Sequence, residues 1–124
     1  MSEDKRRRER VEFEERILCY KHIITSVNIK PDPTPIRIYI KDISYSGLGI
    51  ICNRDLGRGD FLLFNLSGGG ITKEFMLEVK WCKYAGGSYE AGLQFTSLTR
   101  EMIIFLDSLI KNHLKIKARM ERGY

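Results

Sequence analysis

The chain has 124 residues, 43% of them hydrophobic and 30% charged, with 21 Lys+Arg against 16 Asp+Glu for a net charge of +5. That is enough sequence for one domain with one core. It holds no apolar run of the roughly 18 residues a membrane span needs, and no signal-peptide core at its start, so cytoplasm is the expected location. The modest positive charge favours anionic partners without demanding a nucleic acid.

The chain opens with a polar leader containing "RRRER", Arg6 to Arg10, with Glu9, Glu12, Glu14 and Glu15 close behind. Such a run is either a solvated terminus or one half of an anion site. Alternation of period two then dominates. Ile36, Ile38 and Ile40 point one way in "IRIYIKD"; Phe75, Leu77, Val79 and Trp81 share a face in "FMLEVKWCK", with Cys82 opposite. Tyr89, Ala91, Leu93 and Phe95 share one in "YEAGLQF". These are half-buried antiparallel strands. The stretches "KPDPTP", "SYSG", "DLGRGD", "SGGG" and "AGGS" separate them as turns. Short strands with regular turns predict a mainly β chain, a small antiparallel barrel of about six strands whose closure removes unpaired edges.

From Thr99 the period changes. Met102, Ile103, Leu106, Leu109, Ile110, His113 and Ile116 form one helical stripe, with Thr99 as N-cap and basic residues in the last turns. Ile104 and Phe105 widen the apolar face, which predicts a sandwiched or dimer-forming helix. The organisation expected is an arm over 1–10, a barrel over 11–98 and a helix over 99–119.

Several signals carry no chemistry. Cys19, Cys52 and Cys82 are odd in number and far apart, so they read as free thiols. His22 and His113 lack ligands at metal spacing. Arg58-Gly59-Asp60 and "SGGG" read as turns, and Trp81 as core or rim packing, with base stacking as the lesser alternative. No nucleophile elbow, catalytic carboxylate pair or zinc motif appears, and no enzyme is expected.

The stretch "DISYSG", Asp42 to Gly47, reads on its own as a sharp hairpin in which Gly47 can take a positive φ. Arg6 and Arg10, spaced RxxxR, precede it by about thirty residues, and DxSxxG follows at a strand end. This pairing resembles the PilZ domain family, cytoplasmic receptors for the bacterial second messenger cyclic di-GMP. "LGRGDFLLFNL", "LEVKW" and "YEAGLQF" extend the resemblance over Arg6 to Leu98. It implies a cyclic di-GMP site of Arg6, Arg10, Asp42, Ser44 and Gly47, with Lys5, Arg7 and Arg8 as auxiliary residues and no metal or cofactor. It also implies an arm that orders on binding and relays the signal to a protein partner. The chemistry fits: arginine forks suit guanine O6/N7 and phosphate, and a carboxylate accepts guanine N–H groups. A ligand-independent adaptor with the same fold, acting through protein contacts or a helix-mediated homodimer, is the alternative. Single-stranded nucleic-acid binding is a weaker third, because the aromatics fall mostly on the inward face.

Overall fold

The computed structural model describes residues 10–25 and 34–121, with side chains up to residue 113. Seven strands precede one helix: β1 Val11–Cys19, β2 Lys21–Ile23, β3 Ile36–Ile43, β4 Gly47–Cys52, β5 Phe61–Gly68, β6 Ile71–Ala85, β7 Ser88–Thr96, and α1 Arg100–Glu121. The extra strand relative to the expected six is β2, too short to show alternation. All pairings are antiparallel, in the order β1-β3-β4-β7-β6-β5-β2.

Strands β1 and β2 stand at opposite ends of that order, yet only Tyr20 separates them in the chain. The sheet must therefore curl until its ends meet near Cys19, giving a half-barrel with one concave, apolar face. Ile36, Ile38, Ile40, Leu48, Ile50, Leu62, Phe75, Leu77, Val79, Ala91 and Leu93 are buried there. Phe75 lies at the centre, 5.3 Å from the ring of Phe95 and 5.9 Å from that of Phe105.

Helix α1 covers one end of the half-barrel. The Thr99 hydroxyl accepts from the Met102 N–H at 3.2 Å, the N-cap bond expected of this residue. Phe105, Leu106, Leu109 and Ile110 face the core. His113 lies 4.5 Å from the ring of Phe13, tying the helix to β1. The stripe is rotated from its expected position: Phe105 is inside, while Ile103 joins Ile104 among the exposed apolar side chains. Among the described residues no helix is long and apolar enough to cross a membrane.

A buried polar clasp secures β2. The Asp60 carboxylate meets His22 Nε2 at 2.9 Å and accepts from the backbone N–H groups of Gly57 at 3.0 Å and Thr25 at 3.2 Å. Asp60 thus does more than end a turn. It holds the loop before β5 against the strand that closes the sheet.

Candidate functional site

Strand β3 carries a bulge between Ile40 and Asp42, where Lys41 has no counterpart on β4. Ile36, Ile38 and Ile40 alternate inward, so strict continuation would turn Asp42 into the core as well. The extra residue reverses the phase: Ile43 becomes buried and Asp42 emerges on the convex face. Strand β6 repeats the device between Val79 and Trp81, with Lys80 as the extra residue. Trp81, expected beside Val79 on the core face, instead points outward at 47% exposure. Cys82, expected opposite, packs against the core.

These reversals align a row of residues across the convex face. Asp42 pairs with Gly49, Gly49 with Gly92, and Gly92 with Trp81. The two glycines leave the middle of the row without side chains, as glycine in a strand does where something else approaches the backbone. At Gly92 that neighbour is the Trp81 indole, which a Cβ would overlap. At Gly49 it is Asp42, whose carboxylate oxygens would lie 2.6 and 2.9 Å from a Cβ. The result is a shelf with a carboxylate at one side and an indole at the other.

Arg10, just before β1, reaches this shelf. Its Nη1 donates to Asp42 Oδ1 at 2.6 Å, and the Gly49 N–H donates to the same oxygen at 3.1 Å. The ion pair is open to solvent, with the Arg10 and Asp42 side chains 45% and 28% exposed. Arg6, Lys5, Arg7 and Arg8 lie outside the described residues.

Ser44 and Gly47 have different surroundings from Arg10 and Asp42. Ser44 is buried, and its hydroxyl oxygen accepts from the N–H groups of Ser46 at 3.3 Å and Gly47 at 3.2 Å. The Ser44 N–H donates to the Gly47 carbonyl at 2.9 Å, closing the turn. Gly47 does not use the positive φ open to it; among the described residues the glycines that do are Gly59, Gly69, Gly70, Gly86 and Gly87. A Cβ on Gly47 would instead overlap the Leu93 carbonyl oxygen of β7. These two residues shape the bend that follows Asp42.

Sequence reasoning does not reach Gly49 and Gly92 as members of this site, and reaches Trp81 only as the lesser, base-stacking alternative. A glycine repeated two positions after Gly47, and another in the middle of "YEAGLQF", are the signals that could have found the floor. For Trp81 the alternation points inward, which favours packing over stacking. Among the described residues no group of three or more His, Cys, Asp or Glu could hold a metal ion.

The PilZ domain family pattern matches residues 4–112 of the chain. No curated protein matches it. A solved structure described as the PilZ domain with c-di-GMP of YcgR from Escherichia coli is similar, with a TM-score of 0.68 at 15% identity. That alignment covers 95% of this chain and 98% of the other, so the two share a fold along nearly their whole lengths. By the extent of the family match, this chain belongs to the PilZ domain family.

Proposed function

We propose that the chain is a cytoplasmic receptor for cyclic di-GMP. The observation that carries this reading is the ion pair between Arg10 and Asp42, 32 residues apart, beside a floor of two glycines on the convex face. A guanidinium, a carboxylate and an indole are groups that a guanine edge, a phosphodiester and a base face can use. The neighbour's bound c-di-GMP adds support through the shared fold.

Binding begins with an exchange. A guanine that offers its N–H groups to Asp42 displaces the Arg10 fork, which turns to O6/N7 or to phosphate. An exposed ion pair contributes only about 0–1 kcal/mol, whereas each new charge-assisted hydrogen bond to the ligand contributes about 1.5–3 kcal/mol. The Gly49 N–H keeps the carboxylate oriented throughout. The exposed face of Trp81 gives a base a surface to stack on. Arg6 supplies the second fork from the arm, with Lys5, Arg7 and Arg8 adding positive charge. Fixing the arm costs about 1–2 kcal/mol of backbone entropy per residue, so several bonds must form together. The ordered arm then presents a new surface to a protein partner. Ser44 and Gly47 contribute by holding the bend that aims Asp42.

Calorimetric titration with cyclic di-GMP tests this, alongside emission from Trp81, the single tryptophan. Arg10→Ala and Asp42→Ala are expected to weaken binding at least about tenfold, one such hydrogen bond being about 1.5–3 kcal/mol. Unchanged affinity in both variants overturns the site. A wild-type chain indifferent to the dinucleotide, but dimeric by light scattering through the exposed Ile103 and Ile104, would return the adaptor reading.

A further inference from the structure

We infer that Tyr45 and Asp107 couple the dinucleotide site to helix α1, so that occupancy at Asp42 is sensed along the helix. This rests on the receptor reading above and extends it to residues outside the ligand shelf.

Tyr45 occupies a variable position of the DxSxxG stretch, at the tip of the bend, and its hydroxyl donates to Asp107 Oδ1 at 2.6 Å. The other carboxylate oxygen of Asp107 accepts from Lys111 Nζ at 3.0 Å, one turn further along the helix. On the barrel side the bend is stiff. Ser44 bonds the Ser46 and Gly47 N–H groups, and the Phe95 N–H donates to the Ser46 carbonyl at 2.9 Å. Only Ile43, fully buried, separates Asp42 from this bend. Any strain that the change of partner from Arg10 to a guanine puts on the strand end carrying Asp42 therefore has a short path to Asp107, through the backbone of Ile43 and Ser44 and then the Tyr45 hydroxyl.

The space around that route can accommodate movement. A cleft of about 410 Å³ lies elsewhere on the face of β1, β3 and β4. The crevice at the bend itself has a volume of about 330 Å³, between Tyr45, Ser46, Gln94, Phe95, Ile103 and Leu106. Ile103, half exposed on its rim, would change its surroundings as the bend and helix shift against each other. Asp107 is accordingly a positioning residue. It acts through Tyr45 on the bend that follows Asp42.

Coupling is reciprocal: if ligand alters the helix, loosening the helix attachment must alter ligand affinity by the same factor. The test compares the full chain with Tyr45→Phe, which removes the hydroxyl and keeps the ring, and Asp107→Asn, which keeps an acceptor without the charge. Cyclic di-GMP affinity is measured by calorimetry, and amide exchange along Ile103 to Lys111 with and without ligand. In wild type, saturation with ligand is expected to change exchange in that segment. Tyr45→Phe is expected to bind about three- to tenfold more weakly, a fraction of what one hydrogen bond to a charged group is worth, and to lose the helix response. Asp107→Asn, on the helix surface, retains the fold and falls between the two. Wild-type binding without any change in the helix, or a full helix response in both variants, overturns the coupling and leaves the receptor intact. Failure of the wild-type chain to bind overturns the receptor reading itself, and the coupling with it.

Discussion

Gly47 offers a sharp separation between a ligand-contacting glycine and one demanded by the sheet. A Cβ at this position would overlap the Leu93 carbonyl oxygen and lie 3.0 Å from the Leu93 carbonyl carbon and 3.1 Å from Gln94 Cα. Those atoms are backbone, so no rotamer change relieves the overlap. In Gly47→Ala, β4 must part from β7 at the Gly47 and Gln94 pair. Phe95 N–H to the Ser46 carbonyl crosses that gap, and two bonds within the turn, Ser44 N–H to the Gly47 carbonyl and Gly47 N–H to Ser44 Oγ, are strained as Gly47 moves. At about 1 kcal/mol net each, loss of two or three destabilises the chain by about 2–3 kcal/mol. For a domain of this size that lowers the melting temperature by about 10 °C. Circular dichroism during heating and urea titration measures it, with ligand affinity determined in parallel. A variant that melts within about 2 °C of wild type yet fails to bind cyclic di-GMP would refute the argument, and would make Gly47 a ligand contact.

The neighbouring Gly49→Ala should behave oppositely. Its Cβ meets the Asp42 side chain rather than backbone, so affinity is expected to fall about tenfold or more with stability changed by under about 1 kcal/mol, as read by calorimetry and melting. Asp60 sets an acid limit on folding. Burial alone would raise its carboxyl, but bonds from His22, Thr25 and Gly57, and the charge of His22, hold it below the ordinary value. Its contribution is therefore complete above the unfolded value of about 3.9 and is lost as pH falls through the lower folded value. Urea midpoints should keep a constant gap between wild type and Asp60→Ala from pH 7 to about pH 4, and the gap should narrow as pH falls further. Burial also raises the Cys19, Cys52 and Cys82 thiols. Native protein should react slowly with a thiol reagent at neutral pH, the less buried Cys82 first, and all three rapidly once unfolded.

The core was legible because burial obeys a period. Ile36, Ile38 and Ile40, then Phe75, Leu77 and Val79, then Ala91, Leu93 and Phe95 are inward as their alternation requires. Strand β2 was not legible, because three residues carry no period and its clasp comes from Asp60, 38 residues beyond His22. The helix was legible in extent and cap but not in rotation: Ile103 and Phe105 are both apolar, and only the shape of the barrel end decides which is enclosed. For the site, Arg10 and Asp42 stand out only by resemblance to a family motif; the structure sets them 2.6 Å apart, a contact that 32 residues of separation hide. The shelf beside them was hidden for a different reason. Periodicity assumes a regular strand, and this site is made where the strands are irregular.

That irregularity has a physical logic. In "IKD" and in "VKW" an inward apolar residue is followed by a lysine and then by the residue that emerges on the convex face. Without the extra residue, Asp42 would enter a core of isoleucines, where an unpaired carboxylate is too costly to retain its charge. The bulge avoids that cost but breaks the ladder between β3 and β4, and the Gly49 N–H beside the break is taken up by Asp42 itself. Strands β4 and β7, between the two bulges, remain in regular register, so Gly49 and Gly92 stay directly opposed. The two bulged strands thus turn a charge and an indole outward, while the two regular strands keep the floor between them flat. Asp42 has one oxygen engaged in repairing the ladder, and the same oxygen accepts from Arg10, so the bulge that turns the carboxylate outward also anchors it.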